Sequence, residues 1–231
     1  MPCTAKKFEA HREEHRAPWG APYTDAVITT REFIWMAKCM GVDYANLPDG
    51  DFDSPMGESS GAADIFGATG GVMEAALRTA YEKVTGKEPP SFDFTQVRGV
   101  EGIKETTVEL AGKRIEVAVS NGLANAKTIL DRVVNGKKEY HSIEIMACPG
   151  GCVAGGGQPY PPAGMHVLDP ALASLRAKAL YAIDAGKKLR KSHGNAGIER
   201  LYMEFLGEPN GHKSHELLHT SYRERKPGGI R

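Results

Sequence analysis

Apolar and polar positions repeat in two registers along this chain, and the switches between them mark its elements. A period of two runs through Thr106-Thr-Val-Glu-Leu and Arg114-Ile-Glu-Val-Ala-Val119, on either side of Ala111-Gly112-Lys113, and predicts an antiparallel hairpin. Tyr140 to Met146 reads as a buried strand, and Asp25 to Thr30 as a short β-prone run with Thr30 placed to cap a helix. Helical spacing follows in Phe33, Met36, Ala37 and Met40, closed by Gly41. A second helix opens at Gly70-Gly71, carries Val72, Ala76, Ala80 and Val84 on one side, and ends near Gly86 before Lys87-Glu-Pro-Pro. A third spans Ala124 to Val134, with Gly136 just beyond it. Asp169 and Pro170 start a long helix whose predicted face is Leu172, Leu175, Ala179 and Ile183; its basic end, Lys187, Lys188, Arg190 and Lys191, suits the negative pole of a helix dipole. Shorter helices near Ile198–Leu206 and Ser214–Tyr222 complete the tail.

Strands and helices in this order predict an α/β fold: a parallel-type sheet with flanking helices, one hairpin and a helical C-terminal arm. The expected division is residues 1–168 as an α/β domain and 169–231 as the arm. At 231 residues the chain can bury a sizeable core. Its 29 basic and 29 acidic residues cancel, so no net field points to nucleic acid or anionic lipid. No apolar run approaches the ~20 residues that span a bilayer, and no basic segment followed by an apolar one opens the chain, so the expected setting is cytoplasmic. Four cysteines in this length make no disulfide framework. The charged run Glu9 to Arg16 reads as a solvated helix face, and residues 45–70 as a loop-rich stretch of small side chains.

The chemistry concentrates in Glu144-Ile-Met-Ala-Cys148-Pro-Gly-Gly-Cys152-Val-Ala-Gly155-Gly-Gly-Gln158-Pro, where five glycines and two prolines surround two cysteines. Glycines there permit positive φ and close backbone approach. A C-x-x-x-C spacing alone equally describes two buried cysteines in a turn. A third cysteine, Cys3, sits in Met1-Pro2-Cys3-Thr4-Ala5-Lys6-Lys7-Phe8-Glu9, beside two lysines. The fourth, Cys39, belongs to neither stretch and is expected to pack as a small buried hydrophobe in its helix. The eight histidines scatter, and His215 and His219 are expected to cap or brace the tail.

Taken together, these two cysteine stretches resemble the catalytic domain of the iron–iron hydrogenases. The first matches that family's MPCTAKK-x-E motif and the second its E-x-MACPGGC-x-x-GGGQP motif. The stretch Phe52 to Arg78, with GESSGAADIFGATGGVMEAALR, and the ending RKSHGN, LYMEFLG and SHELLHTSY are similar to the family's intervening and terminal segments. The resemblance implies reversible interconversion of dihydrogen with two protons and two electrons. It implies Cys3, Cys148 and Cys152 as ligands of a 4Fe–4S cubane. Cys152 would also bridge to a diiron subcluster bearing carbonyl, cyanide and a bridging dithiolate. Lys6 would donate to a cyanide, and Met1, Phe66, Val72 and Met146 would line the diiron pocket. Glu144 and Gln158 would fix the loops.

The family's first cluster motif, T-S-C-C-P-x-W, which carries the fourth cubane ligand and a proton-shuttling cysteine, has no counterpart here. The resemblance therefore implies an obligate partner chain supplying that segment together with further iron–sulfur clusters, and ferredoxin or nicotinamide-linked subunits as electron acceptors. A hydrogen sensor, a narf-like cytosolic iron–sulfur assembly protein and a structural zinc site are the competing readings.

Overall fold

In the computed structural model, which describes residues 2–50, 53, 58–110 and 112–224, the period-two segments form the predicted hairpin. Strand β1 (Ile103–Leu110) pairs antiparallel with β2 (Lys113–Asn121) in a register that sets Thr106 opposite Val117 and Val108 opposite Ile115. The other face of β2's chain order continues through helix α5 (Leu123–Val134) to β3 (Ser142–Met146), which pairs parallel to β2 from Val117↔Ser142 to Asn121↔Met146. The three-stranded sheet, ordered β1-β2-β3, is thus mixed rather than parallel throughout. Alternation puts Val108, Leu110, Val117 and Val119 on one face, where they meet Met73, Leu77, Phe94 and Val97 in the hydrophobic core.

Met73 and Leu77 come from α4 (Gly71–Thr85), closed by Gly86 in the left-handed conformation at φ +67°. The predicted stripe of this helix is not its buried face. Val84 is exposed, while Met73, Glu74, Leu77 and Arg78 are buried. Two charged side chains can be inside because they satisfy each other. Arg78 donates through Nε to the Phe92 carbonyl at 2.7 Å, through Nη1 to Asp184 and the Arg190 carbonyl, and through Nη2 to Glu74 and Asp184. All the donors of the guanidinium fork are matched, which is what a buried charge requires. Glu74 also accepts from Arg98.

Asp184 lies on α6 (Pro170–Gly186), capped by Asp169 as predicted. Its expected apolar face also turns outward: Leu175 and Ile183 are exposed, and Ala173 and Asp184 are buried. The helix approaches closely because its neighbour, α3 (Gly61–Asp64), begins with glycine; a Cβ at Gly61 would fall within 2.1 Å of Asp184. The basic end of α6 acts through ion pairs rather than through a dipole. Lys187 pairs with Asp64 at 2.7 Å, Arg190 with Asp184 at 2.6 Å, and Lys191 with Glu82 at 2.8 Å.

Helix α1 (Ala5–Glu9) follows Cys3, and α2 (Thr30–Cys39) follows an extended segment; Asp25 to Thr30 joins no ladder, so the expected strand is absent. The cap of α2 is Thr29 rather than Thr30, in a reciprocal capping box with Glu32. Of its expected stripe only Ala37 is buried; Phe33, Met36 and Met40 are exposed, as are Trp35 and Tyr44. The Phe33 ring meets the Tyr44 ring edge-on at 6.4 Å, and the rest of that face stays open. At the other end of the chain, α7 (Ala196–Leu201) runs into a π turn (Tyr202–Leu206), and α8 (His212–Leu218) follows. The His215 and His219 rings stack at 4.2 Å. The tail then folds back onto the expected solvated run: Arg12 Nη2 donates to the Ser221 carbonyl at 2.5 Å, and the Arg12 and Glu14 side chains are only 10% and 7% exposed. No helix among the described residues is long and apolar enough to cross a membrane.

Candidate metal centre

Cys3 and the Cys148–Cys152 loop are 145 residues apart in sequence and meet through backbone. The Gly157 N–H donates to the Pro2 carbonyl at 2.6 Å, next to Cys3. A Cβ at Gly155 would lie 2.7 Å from that carbonyl, and one at Gly157 would lie 2.6 Å from the Thr29 side chain. The triple glycine therefore makes the groove into which the Cys3 segment settles. The Gly157 carbonyl accepts from the Arg31 N–H at 3.1 Å, so the start of α2 holds the same loop. Gln158 Nε2 donates to the Val153 carbonyl at 3.1 Å, which gives this side chain the loop-fixing part expected of it.

The turn between Cys148 and Cys152 is built by Gly150 and Gly151, at φ +79° and +95°, a conformation that L side chains rarely adopt. A Cβ at Gly151 would lie 2.7 Å from the Thr69 nitrogen, so the Gly67–Gly71 segment packs directly on the loop. Asn121, at the end of β2, accepts from the Gly150 N–H at 2.9 Å and donates to the Glu101 carbonyl at 2.7 Å. Sequence reading did not single out Asn121. Its signal is a polar residue ending an apolar strand just before a glycine.

Glu144 is the buried side chain of β3, a strand expected to bury apolar ones; Ile145 is exposed. Its carboxylate accepts the Gly70 and Met73 N–H groups, each at 2.7 Å, and so satisfies the open N-terminus of α4. Burial raises its pKa, and the N–H groups of Met73, Gly70 and Val72 oppose that rise. Strand β3, the α4 N-terminus and the cysteine loop are thereby locked together.

All four cysteines are free; Cys3, Cys148 and Cys152 are half-buried, and Cys39 is exposed at the end of α2 instead of packed inside it. Burial and then the charge of Cys3 raise the Cys148 pKa. Burial raises that of Cys152 most, followed by Cys148 and Cys3, while Lys6 lowers it and Glu144 raises it. The three thiols are thus near enough to repel one another as thiolates, the state that a bound cation relieves. Among the described residues no three His, Cys, Asp or Glu side chains converge closely enough to hold a single metal ion. Three thiols are soft sulfur donors, the ligand type of iron–sulfur clusters.

Lys6 lies on α1, close enough to Cys152 for its charge to act there, and its Nζ pairs with Glu9 at 2.5 Å. Val72 and Met146 are half-buried, one at the α4 N-terminus that Glu144 holds, the other at the end of β3 with its carbonyl on the Gly122 N–H at 2.8 Å. Phe66, expected as a core-like wall residue, is 45% exposed in the turn before Gly67. Met1 lies outside the described residues.

Residues 1–156 match the iron-only hydrogenase large subunit, C-terminal domain, and residues 171–225 match the iron hydrogenase small subunit. The chain belongs to the iron-only hydrogenase family. It is 51% identical over 226 residues to the NADP-reducing hydrogenase subunit HndD of Solidesulfovibrio fructosivorans, covering 98% of this chain and 37% of that one. It is 55% identical over 177 residues to the periplasmic [Fe] hydrogenase large subunit of Nitratidesulfovibrio vulgaris, covering 77% of this chain and 42% of that one. The solved [FeFe]-hydrogenase HydA1 of Chlamydomonas reinhardtii superposes with a TM-score of 0.76 at 42% identity, covering 96% of this chain and 61% of that one. The chain therefore spans well under half the length of these two curated hydrogenases. The small-subunit match falls on α6 to α8 and the tail, which corresponds to the part of the chain predicted as a helical arm.

Proposed function

We propose that this chain is the catalytic subunit of a split iron–iron hydrogenase. The observation that carries the proposal is the 2.6 Å bond from the Gly157 N–H to the Pro2 carbonyl, which sets the Cys3 segment against the loop that follows Cys148 and Cys152. In this reading Cys3, Cys148 and Cys152 would hold, as thiolates, a 4Fe–4S cluster joined to a diiron subcluster with carbonyl, cyanide and dithiolate ligands. When bound, that group supplies the reversible interconversion of dihydrogen with two protons and two electrons.

The chain's own residues supply ligation, charge and enclosure. Lys6, paired with Glu9 at 2.5 Å, would hold the group by donating to a cyanide, a charge-assisted bond worth about 1.5–3 kcal/mol. Val72, Met146 and Phe66 would supply apolar side chains beside that group. Glu144 and Gln158 hold the loops.

Three thiols leave a cubane one ligand short, and the exposed Phe33, Trp35, Met36 and Met40 of α2 offer an apolar surface to a neighbour. Both features support an obligate partner carrying a T-S-C-C-P-like segment, with further iron–sulfur clusters that pass electrons to ferredoxin or to nicotinamide-linked subunits. Free cysteines throughout suit a cytoplasmic setting. Coexpression with the partner and the maturation machinery tests the proposal. Carbonyl and cyanide infrared bands together with hydrogen turnover, absent from this chain alone, are expected. A complete diiron site and full turnover in the single chain would overturn the partner requirement, and absence of the bands from every combination would overturn the hydrogenase reading.

A further inference from the structure

The C-terminal arm carries His215-Glu-Leu-Leu-His219, the H-E-x-x-H spacing that sets two imidazoles one turn apart on a helix. Helix α8 keeps that register past its last residue, Leu218. The His219 N–H still donates to the His215 carbonyl at 3.2 Å, so one closed turn holds both residues. Their rings lie side by side, with centroids 4.2 Å apart and planes 23° from parallel. Both residues are exposed, and among the described residues neither ring has a hydrogen-bond partner. The surrounding charge suits a cation. Glu216 lines an open cavity of about 540 Å³ together with His212, His215 and Asn210, and has no ion pair among the described residues. Lys213, the one lysine of α8, is turned onto the Phe205 ring, its Nζ 3.5 Å from the centroid.

We infer that His215 and His219 form a two-imidazole site for a divalent transition-metal ion of the zinc type, with water in the remaining positions. Neutral imidazole nitrogen is a ligand that zinc, nickel and copper all accept and that magnesium does not favour. Two nearly parallel rings one turn apart need only side-chain rotation to aim a nitrogen each at one ion. The spacing is also that of zinc metalloproteases, but no third His, Cys, Asp or Glu converges on the pair among the described residues, so the geometry supports ion binding without a hydrolytic step. The ion would tie the last turn of α8 to the start of the tail, whose Ser221 carbonyl is held by Arg12. The site stands on α8 alone and is independent of the hydrogenase reading.

The test is nuclear magnetic resonance of the full chain, isotope-labelled on its histidine rings and titrated with zinc chloride or with magnesium chloride. Zinc also takes thiolate ligands, so the ring signals, and not total zinc uptake, report this site. Zinc is expected to shift the His215 and His219 signals together, a chelator to reverse the shift, and magnesium to leave both in place. His215→Gln and His219→Gln identify the two signals. Each variant is expected to keep the wild-type circular dichroism, because both side chains are exposed, and to lose the zinc shift of the ring that remains. Zinc taken up with both ring signals unmoved would put it at the cysteines and overturn the site. An undiminished shift of the remaining ring in either variant would overturn shared ligation, and an equal shift with magnesium would overturn the class of ion.

Discussion

The Pro2 carbonyl accepts the Gly157 N–H at 2.6 Å, and through that bond the first cysteine of the chain is set beside a loop 145 residues away. The contact needs a groove without side chains. A Cβ at Gly157 would lie 2.6 Å from Thr29 and 2.8 Å from the Pro2 carbonyl, so Gly157→Ala must displace backbone. Overpacking of this kind costs about 1–3 kcal/mol. The expected result is a folded protein by circular dichroism that takes up markedly less iron. Gly156→Ala is the matched control: its Cβ would come no closer than 3.3 Å to the Thr4 hydroxyl, and iron uptake should be close to normal.

Glu144 makes a prediction about pH. Its pKa is raised in the folded state, chiefly by burial, so folding binds a proton there more tightly than the unfolded chain does. The stability this residue contributes is complete below the ordinary carboxylate pKa of 4.5 and is lost as pH rises through the folded value. Chemical denaturation of wild type and Glu144→Gln as a function of pH should show their difference moving against wild type as pH rises from 4.5, by no more than about 1.4 kcal/mol per pH unit. Glu144→Ala should be worse than Gln at every pH, because it leaves the α4 N–H groups of Gly70 and Met73 without an acceptor.

Arg78 and Asp184 join α4 to α6 through two bonds of 2.8 Å with both side chains fully buried. Removing either partner strands the other charge. Asp184→Asn or Arg78→Met should cost about 3–5 kcal/mol, read as a lowered denaturation midpoint, whereas the exposed pair Lys127–Asp131 should contribute well under 1 kcal/mol.

Thiol labelling separates the four cysteines of the apo chain. Cys39 is exposed and should react first. Cys148 and Cys152 should react slowly, since burial raises both pKa values and keeps them as thiols. Fast labelling of Cys152 with Cys39 blocked would contradict the charge environment described for it.

Legibility in the sequence follows how local each signal is. The hairpin was readable because alternation and Gly112 specify it within fifteen residues, and the caps at Asp169 and Gly86 because capping depends on adjacent residues. Buried faces were misread in α4 and α6 because the apolar stripe is a poor guide where Glu74, Arg78 and Asp184 neutralise one another across helices. No spacing announces a partner 106 residues away. The α2 stripe differs for another reason: its pattern is amphipathic, but Phe33 meets only the exposed Tyr44 ring, and Met36 and Met40 stay open. At the site, the cysteines and glycines were legible as motifs. Glu144 was legible as a loop-fixing residue, though not the α4 groups it holds; the part played by Asn121 was not legible, because it acts on a loop distant in sequence.

The central claim, that Cys3, Cys148 and Cys152 hold one iron–sulfur cluster, is tested most directly by anaerobic reconstitution of the chain with iron and sulfide, followed by iron and sulfide analysis and Mössbauer spectroscopy. Wild type and Cys39→Ser should both incorporate about four irons per chain with a cubane spectrum, while Cys3→Ser, Cys148→Ser and Cys152→Ser should each lose most of it. Iron content unchanged by Cys3→Ser, or lost in Cys39→Ser, would contradict the account.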